Sequence, residues 1–124
     1  LNLPLINIVP PPKAMFKGVK RKLDVGPREF LSMIKYADFV VTNSFHGTAF
    51  SLTYEKPFFS IYSANPDLRI QSLLKQFNLE YRLIQANDQF DGDVTSIDYN
   101  TMSESKVKLR ESSLSYLKDA LKGI

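Results

Sequence analysis

Ala37-Asp38-Phe39-Val40-Val41-Thr42-Asn43-Ser44-Phe45-His46-Gly47-Thr48-Ala49-Phe50 is the stretch that decides how this chain folds. Phe39-Val40-Val41-Thr42 is apolar at consecutive positions, the pattern of a strand buried on both faces of a parallel sheet. It passes almost without linker into residues 49–55, read as a helix with Phe50 and Leu52 among its apolar residues and broken by Lys56-Pro57. Such a turn lies where a strand's carboxyl end meets a helix N-terminus, so unpaired N–H groups and the helix dipole face the ligand side of the sheet.

The same alternation extends in both directions. Upstream, Pro27 sits near a first helical position, and Phe30, Leu31, Ile34 and Ala37 recur at helical spacing up to Asp38. Before that, Leu5-Ile6-Asn7-Ile8-Val9 reads as a strand stopped by Pro10-Pro11-Pro12. Residues 13–25 read as a loop bearing Lys13, Lys17, Lys20, Arg21 and Lys22, foremost a solvated one, with contact to a phosphate-bearing ligand or a membrane face as the alternative. Downstream, Phe58-Phe59-Ser60-Ile61-Tyr62 is a third strand, and Asn65-Pro66 caps a helix with Ile70, Leu73, Leu74 and Phe77 on one stripe. Residues 81–84 form a fourth strand and residues 86–100 a polar, turn-rich segment. Thr101-x-x-Glu104 has the capping-box pattern and opens a last helix to about Lys122, with Val107, Leu114, Leu117 and Leu121 on one stripe and Gly123 as its stop. Strand and helix alternate four times, which predicts an α/β domain: a Rossmann-like parallel sheet flanked by helices on both faces. Ligands then bind beyond the carboxyl ends of the strands.

Composition bounds the chemistry. The 124 residues, 44% hydrophobic and 23% charged, suit one globular domain spanning 1–124. No cysteine is present, which removes disulfides, thiolate metal sites and a cysteine nucleophile, and a single histidine removes multi-histidine sites. No metal site is expected. Asn87-x-Gln89-x-Asp91-Gly92 with Asp98 has calcium-loop offsets, but amides hold its first and third positions, and it reads as a plain acidic surface loop. No apolar run approaches the roughly 18 residues of a membrane span. The net charge of +3 suits a small anion, and no nucleic-acid signature is seen. The chain opens on Leu1, so it is read as part of a larger protein.

The candidate site is the strand-to-helix turn. His46 carries the one imidazole, the side chain that ordinarily titrates near neutrality, and could bind an anion or move a proton. Asn43, Ser44 and Thr48 offer short polar groups, and Gly47 would let a ligand approach the backbone. Arg69 could fork onto a carboxylate or phosphate. The structural alternatives are that Ser44 only caps the helix, His46 packs or faces solvent, and Arg69 is a surface residue. Glu29 and Glu55 are candidate bases that read foremost as solvated or helix-pairing residues.

Gly26-Pro27-Arg28-Glu29-Phe30-Leu31, the run from Ala37 through Ser51, and Lys56-Pro57-Phe58 resemble the polysaccharide pyruvyl transferase family. Arg69-Ile70, Leu73-Leu74 and Tyr81-Arg82 extend the resemblance over roughly residues 25–122, making 26–122 the family-like core. It implies the C-terminal lobe of a two-lobed, GT-B-like transferase, with an N-terminal lobe supplied by the same protein. It implies transfer of pyruvate from phosphoenolpyruvate onto a pair of sugar hydroxyls as a ketal, in surface polysaccharide biosynthesis. Phosphoenolpyruvate would be the donor with no separate cofactor, a free or lipid-linked saccharide the acceptor, and the cytoplasm or inner membrane face the location. His46 falls on the family's active-site histidine. Several relatives carry an arginine two residues earlier, where this chain has Ser44, so Arg69 or the basic loop would complete the phosphate clamp. Two other functions remain open at this stage: the donor lobe of a glycosyltransferase using a sugar nucleotide, and a non-catalytic anion- or partner-binding module.

Overall fold

The structure, a computed structural model, describes residues 5–7, 19–21, 24–89 and 96–124. Strand β3 (Val40–Thr42), helix α2 (Phe45–Thr53), strand β4 (Phe58–Tyr62), helix α3 (Leu68–Gln76) and strand β5 (Leu83–Gln85) follow in that order. The three strands form one parallel sheet, ordered β3-β4-β5, with Thr42 opposite Ser60 and Tyr62 opposite Gln85. The parallel α/β architecture expected from the alternation is present.

Consecutive strand order carries both crossovers the same way round, and α2 and α3 accordingly pack on one face. Phe58 faces them, fully buried with Leu52, Ile70 and Leu74 in a core that also holds Leu79 and Met102. On the opposite face Val41 is exposed, while Phe59 is covered by Phe39 and by the buried guanidinium of Arg82. β3 is thus buried on one face, not two, because it ends the sheet and no described crossover passes over its far side.

Strand β1 (Leu5–Asn7) also departs from expectation. It pairs in parallel with β2 (Val19–Arg21), inside the segment read as a loop, and the two form a sheet of their own. Residues 13–18, 22 and 23 of the basic segment and the proline run lie outside the described residues, as do residues 90–95 of the acidic turn.

Helix α1 (Pro27–Tyr36) starts at Pro27 with Gly26 as its N-cap and stops one residue early, at Ala37. Phe30 meets Phe50 edge-on and joins it to α2. α2 and α3 both end in paired hydrogen bonds that wrap the last turn: Lys56 N–H to Ser51 O (2.9 Å) and Glu55 N–H to Leu52 O (3.3 Å), then Leu79 N–H to Leu74 O (2.9 Å) and Asn78 N–H to Lys75 O (3.2 Å). Glu55 and Asn78 take the left-handed conformation this requires, each at φ 55°.

Two caps fall elsewhere than the sequence suggests. Asp67, not Asn65, caps α3, because its carboxylate reaches the Arg69 N–H. Thr101 lies in a 3-10 turn (Asn100–Met102) and donates its hydroxyl to Asp98 O (2.9 Å), so it caps nothing. Residues Glu80–Arg82 likewise form a 3-10 turn, which delays β5 to Leu83.

Helix α4 (Ser103–Leu121) is tied on by its first turns. Lys106 Nζ donates to Leu52 O (3.0 Å) and Glu55 Oε1 (3.2 Å) at the carbonyl end of α2, a favourable place for a cation. Nearby, the Tyr99 hydroxyl donates to Lys56 O. Beyond this anchor nothing on α4 is buried, and Val107, Leu114, Leu117 and Leu121 stand exposed. None of the described helices is long and apolar enough to cross a membrane.

Candidate functional site

The turn from β3 into α2 is built from hydroxyls. Ser44 is extended (φ −110°, ψ 145°) and its Oγ accepts the Gly47 N–H at 2.9 Å, which starts the helix at Phe45, four residues before the sequence reading placed it. The Ser44 N–H donates to Thr42 Oγ1 at 3.2 Å, which locks the strand end onto the cap. Thr48 Oγ1 donates to Ser44 O (3.0 Å) and bonds Ser60 Oγ (2.6 Å), pinning α2 to β4, and Ser51 Oγ donates to Gly47 O (2.7 Å). Thr48, Ser51 and Ser60 are completely buried, so each hydroxyl needs such a partner.

Gly47 is required by packing. A Cβ there would lie 2.8 Å from Thr42 Cβ and 3.1 Å from Ser44 Oγ, and would overlap Thr42 Oγ1. The space the sequence reading left for a ligand is filled by Thr42.

The sequence-derived candidates therefore separate. Thr48 and Gly47 are interior and hold the turn in shape. Asn43, Ser44 and His46 are exposed on the solvent side of the same turn. Arg69 is exposed at the start of α3, where its guanidinium carbon lies 5.4 Å from the centre of the Phe45 ring. The edge of that assembly is His46, whose ring meets Phe45 at 5.8 Å and 78°. Tertiary folding thus brings Arg69 and His46 against the same aromatic ring, although 23 positions separate them in sequence.

Asp67 fixes the arginine. Its Oδ1 accepts the Arg69 backbone N–H (2.8 Å) and Nε (3.1 Å), and its Oδ2 accepts Nη2 (2.6 Å). The hydrogen bonds from Arg69, foremost that of its side chain, hold the Asp67 carboxyl below the usual carboxylate range.

A groove of about 260 Å³ opens beside this cluster, past the carboxyl ends of all three strands. Ile61, Ile70 and Leu83 give it apolar walls, and Asn43, Tyr62, Ser63, Asn65 and Asp67 give it polar ones. His46 and Arg69 stand outside this lining, each a few residues from a member of it. Tyr62, Ser63, Asn65 and Asp67 were missed by reasoning from sequence. The signal was there: the strand Phe58-Phe59-Ser60-Ile61-Tyr62 ends at the same rim, and whatever follows it had to face the crevice. No three His, Asp or Glu side chains gather in a metal-holding group among the described residues.

Neither the curated proteins nor the solved structures contain a match to this chain. A family model does match: over residues 13–65, a span that contains the whole β3–α2 turn with His46, the chain fits the polysaccharide pyruvyl transferase family, the one its sequence motif resembles.

Proposed function

We propose that the exposed face of the β3–α2 turn binds phosphoenolpyruvate and that the chain takes part in moving its pyruvate onto a saccharide as a ketal. The observation that carries this is the Arg69–Phe45–His46 cluster: two groups able to hold anions, accessible to solvent, at the carboxyl end of a parallel sheet. Phosphoenolpyruvate carries a phosphate and a carboxylate, and a planar guanidinium with an imidazole suits both.

The reaction needs little else. A proton adds to the methylene carbon of the enol, one sugar hydroxyl adds to the neighbouring carbon, and the C–O bond to phosphate breaks. A second hydroxyl then adds to the same carbon and closes the ketal. Of the two hydroxyl protons released, one balances the new methyl group and the other leaves with phosphate. In this reading His46 holds the phosphate or delivers the proton, and Arg69 clamps the carboxylate or phosphate. The reaction so written draws on no cofactor, phosphoenolpyruvate being the donor substrate. The acceptor is a saccharide, free or lipid-linked, and the reaction belongs to the cytoplasmic side, where the donor is made.

The single histidine makes the test direct. Phosphoenolpyruvate should move the His46 ring-proton resonances in a saturable way, and His46→Ala made in the full-length, two-lobed protein should lower pyruvyl transfer by about 10²–10⁴-fold with the fold intact. If UDP- or GDP-sugars move those resonances and phosphoenolpyruvate does not, the donor is a sugar nucleotide and the proposal is wrong.

A further inference from the structure

We infer that Asp67 is a positioning residue: it grips one edge of the Arg69 guanidinium and so keeps the other edge, beside Phe45 and His46, set as a two-pronged clamp for an oxyanion. This deepens the transferase reading: it rests on that reading for the identity of the oxyanion as part of phosphoenolpyruvate, while the placement of the clamp stands on its own geometry.

An arginine on a helix surface ordinarily samples many rotamers, and ordering it on binding costs affinity. Here the fold orders it beforehand. Asp67 Oδ1 accepts the Arg69 backbone N–H at 2.8 Å, so the carboxylate is itself held as the cap of α3. The next residue, Ile70, is buried and ties that end of α3 to the core. From this fixed place the carboxylate takes the side chain edge-on, with Nε–H on Oδ1 at 3.1 Å and Nη2–H on Oδ2 at 2.6 Å. The guanidinium carbon then lies 5.4 Å from the centre of the Phe45 ring, and Phe45 packs against the edge of the core. The arginine is held both by an edge and against a ring.

Those contacts leave the end of the fork open. Nη1 and the second N–H of Nη2 donate to no described residue, and this is the edge that meets two oxygens of a carboxylate or phosphate in parallel. Stability does not account for the pair. The Arg69 side chain is 68% exposed, and exposed ion pairs stabilise a fold little. Capping does not account for it either, because the uncharged oxygen of Asn or Ser caps as well as a carboxylate.

Charge and position act in opposite directions here. The negative charge of Asp67 disfavours a nearby anion. A carboxylate that only neutralised Arg69 would leave a tighter anion site once removed. One that positions Arg69 would leave a weaker site. The sign of the change separates the two roles.

The test is titration of the ¹⁵N-labelled chain with phosphoenolpyruvate, pyruvate and inorganic phosphate, read at the Arg69 Nε–H and at the His46 ring protons. Asp67→Asn and Asp67→Ser both keep a capping side chain, so the α3 amide resonances should show the helix intact. Both should weaken phosphoenolpyruvate binding about 3–10-fold despite the lost negative charge. Phe45→Leu, which keeps apolar bulk against the core and removes the aromatic face, should weaken it as well. In an Arg69→Lys background, where a cation remains without the fork, Asp67→Asn should no longer weaken binding. The inference is overturned if Asp67→Asn binds as tightly as the parent or more tightly, if the same loss persists beside Arg69→Lys, or if none of the anions moves the Arg69 Nε–H of the parent. A His46 response to phosphoenolpyruvate that is indifferent to Asp67 removes this inference alone. An Asp67-dependent response of Arg69 to pyruvate or phosphate, with phosphoenolpyruvate silent at both reporters, removes the donor assignment alone.

Discussion

Replacing Gly47 with alanine should destabilise the chain, against the usual preference of helices for alanine. Gly47 lies in the first turn of α2, where alanine is ordinarily favoured by about 0.8–1 kcal/mol. Against that gain stands the added Cβ, 2.8 Å from Thr42 Cβ and overlapping Thr42 Oγ1 on the inner side of the turn. Overpacking of this kind costs about 1–3 kcal/mol. Moving Thr42 aside also disturbs the Ser44 cap that it holds in place, worth about 1 kcal/mol. The balance is a loss of about 1–3 kcal/mol, which for a domain of this length lowers Tm by about 3–6 °C per kcal/mol. Urea unfolding of Gly47→Ala, Thr42→Ala and the double variant measures it. Because Thr42→Ala removes the overlapping oxygen, the two substitutions should couple by about 1 kcal/mol or more. A Gly47→Ala chain more stable than the parent, or additivity within about 0.5 kcal/mol, would refute the packing argument.

Other outcomes follow from burial and charge. Leu74→Ala should cost about 2–5 kcal/mol in the same assay, because Leu74 is fully buried, whereas Leu117→Ala on the exposed face of α4 should change stability by less than about 0.5 kcal/mol. Burial pushes the Tyr99 phenol well above its ordinary value of 10.0, so its contribution is complete below pH 10 and declines as pH rises further. Stability measured from pH 9 to 11 should fall with pH, and Tyr99→Phe should flatten that fall. The carboxyl of Asp67 is depressed from 3.8, so the Arg69 pair contributes fully above that pH and fades as the folded group is protonated. Acid titration should show an Asp67-dependent loss below pH 4 that is absent in Asp67→Asn; an identical profile would remove Arg69 as its partner.

The arrangement explains how one short turn both locks the fold and exposes polar side chains at the rim of the sheet. Ser44 and Thr48 are four residues apart on the same helical turn, yet one caps at the surface and the other is sealed against Ser60. The inner hydroxyls hold α2 in register with β4, and that register turns His46 outward while Phe45 packs against the edge of the core. Arg69 reaches Phe45 only because α3 follows on the same face of the sheet.

Much of this was legible in the sequence. Apolar runs, proline breaks and helical spacing report local periodicity, and they gave the βα alternation, the parallel sheet and the position of His46 at a strand's carboxyl end. The motif around His46 pointed to the family whose model matches residues 13–65. Other features needed the tertiary structure. Val41 and the apolar stripe of α4 look like buried positions, but periodicity states which residues share a face, not whether anything covers it. Whether a threonine binds a ligand or another hydroxyl depends on what lies across the sheet, as Ser60 does for Thr48. The groove itself is assembled from residues that follow three different strands, and no single segment carries its pattern. Only the parallel pairing of β3, β4 and β5, which brings three strand ends to one rim, creates it.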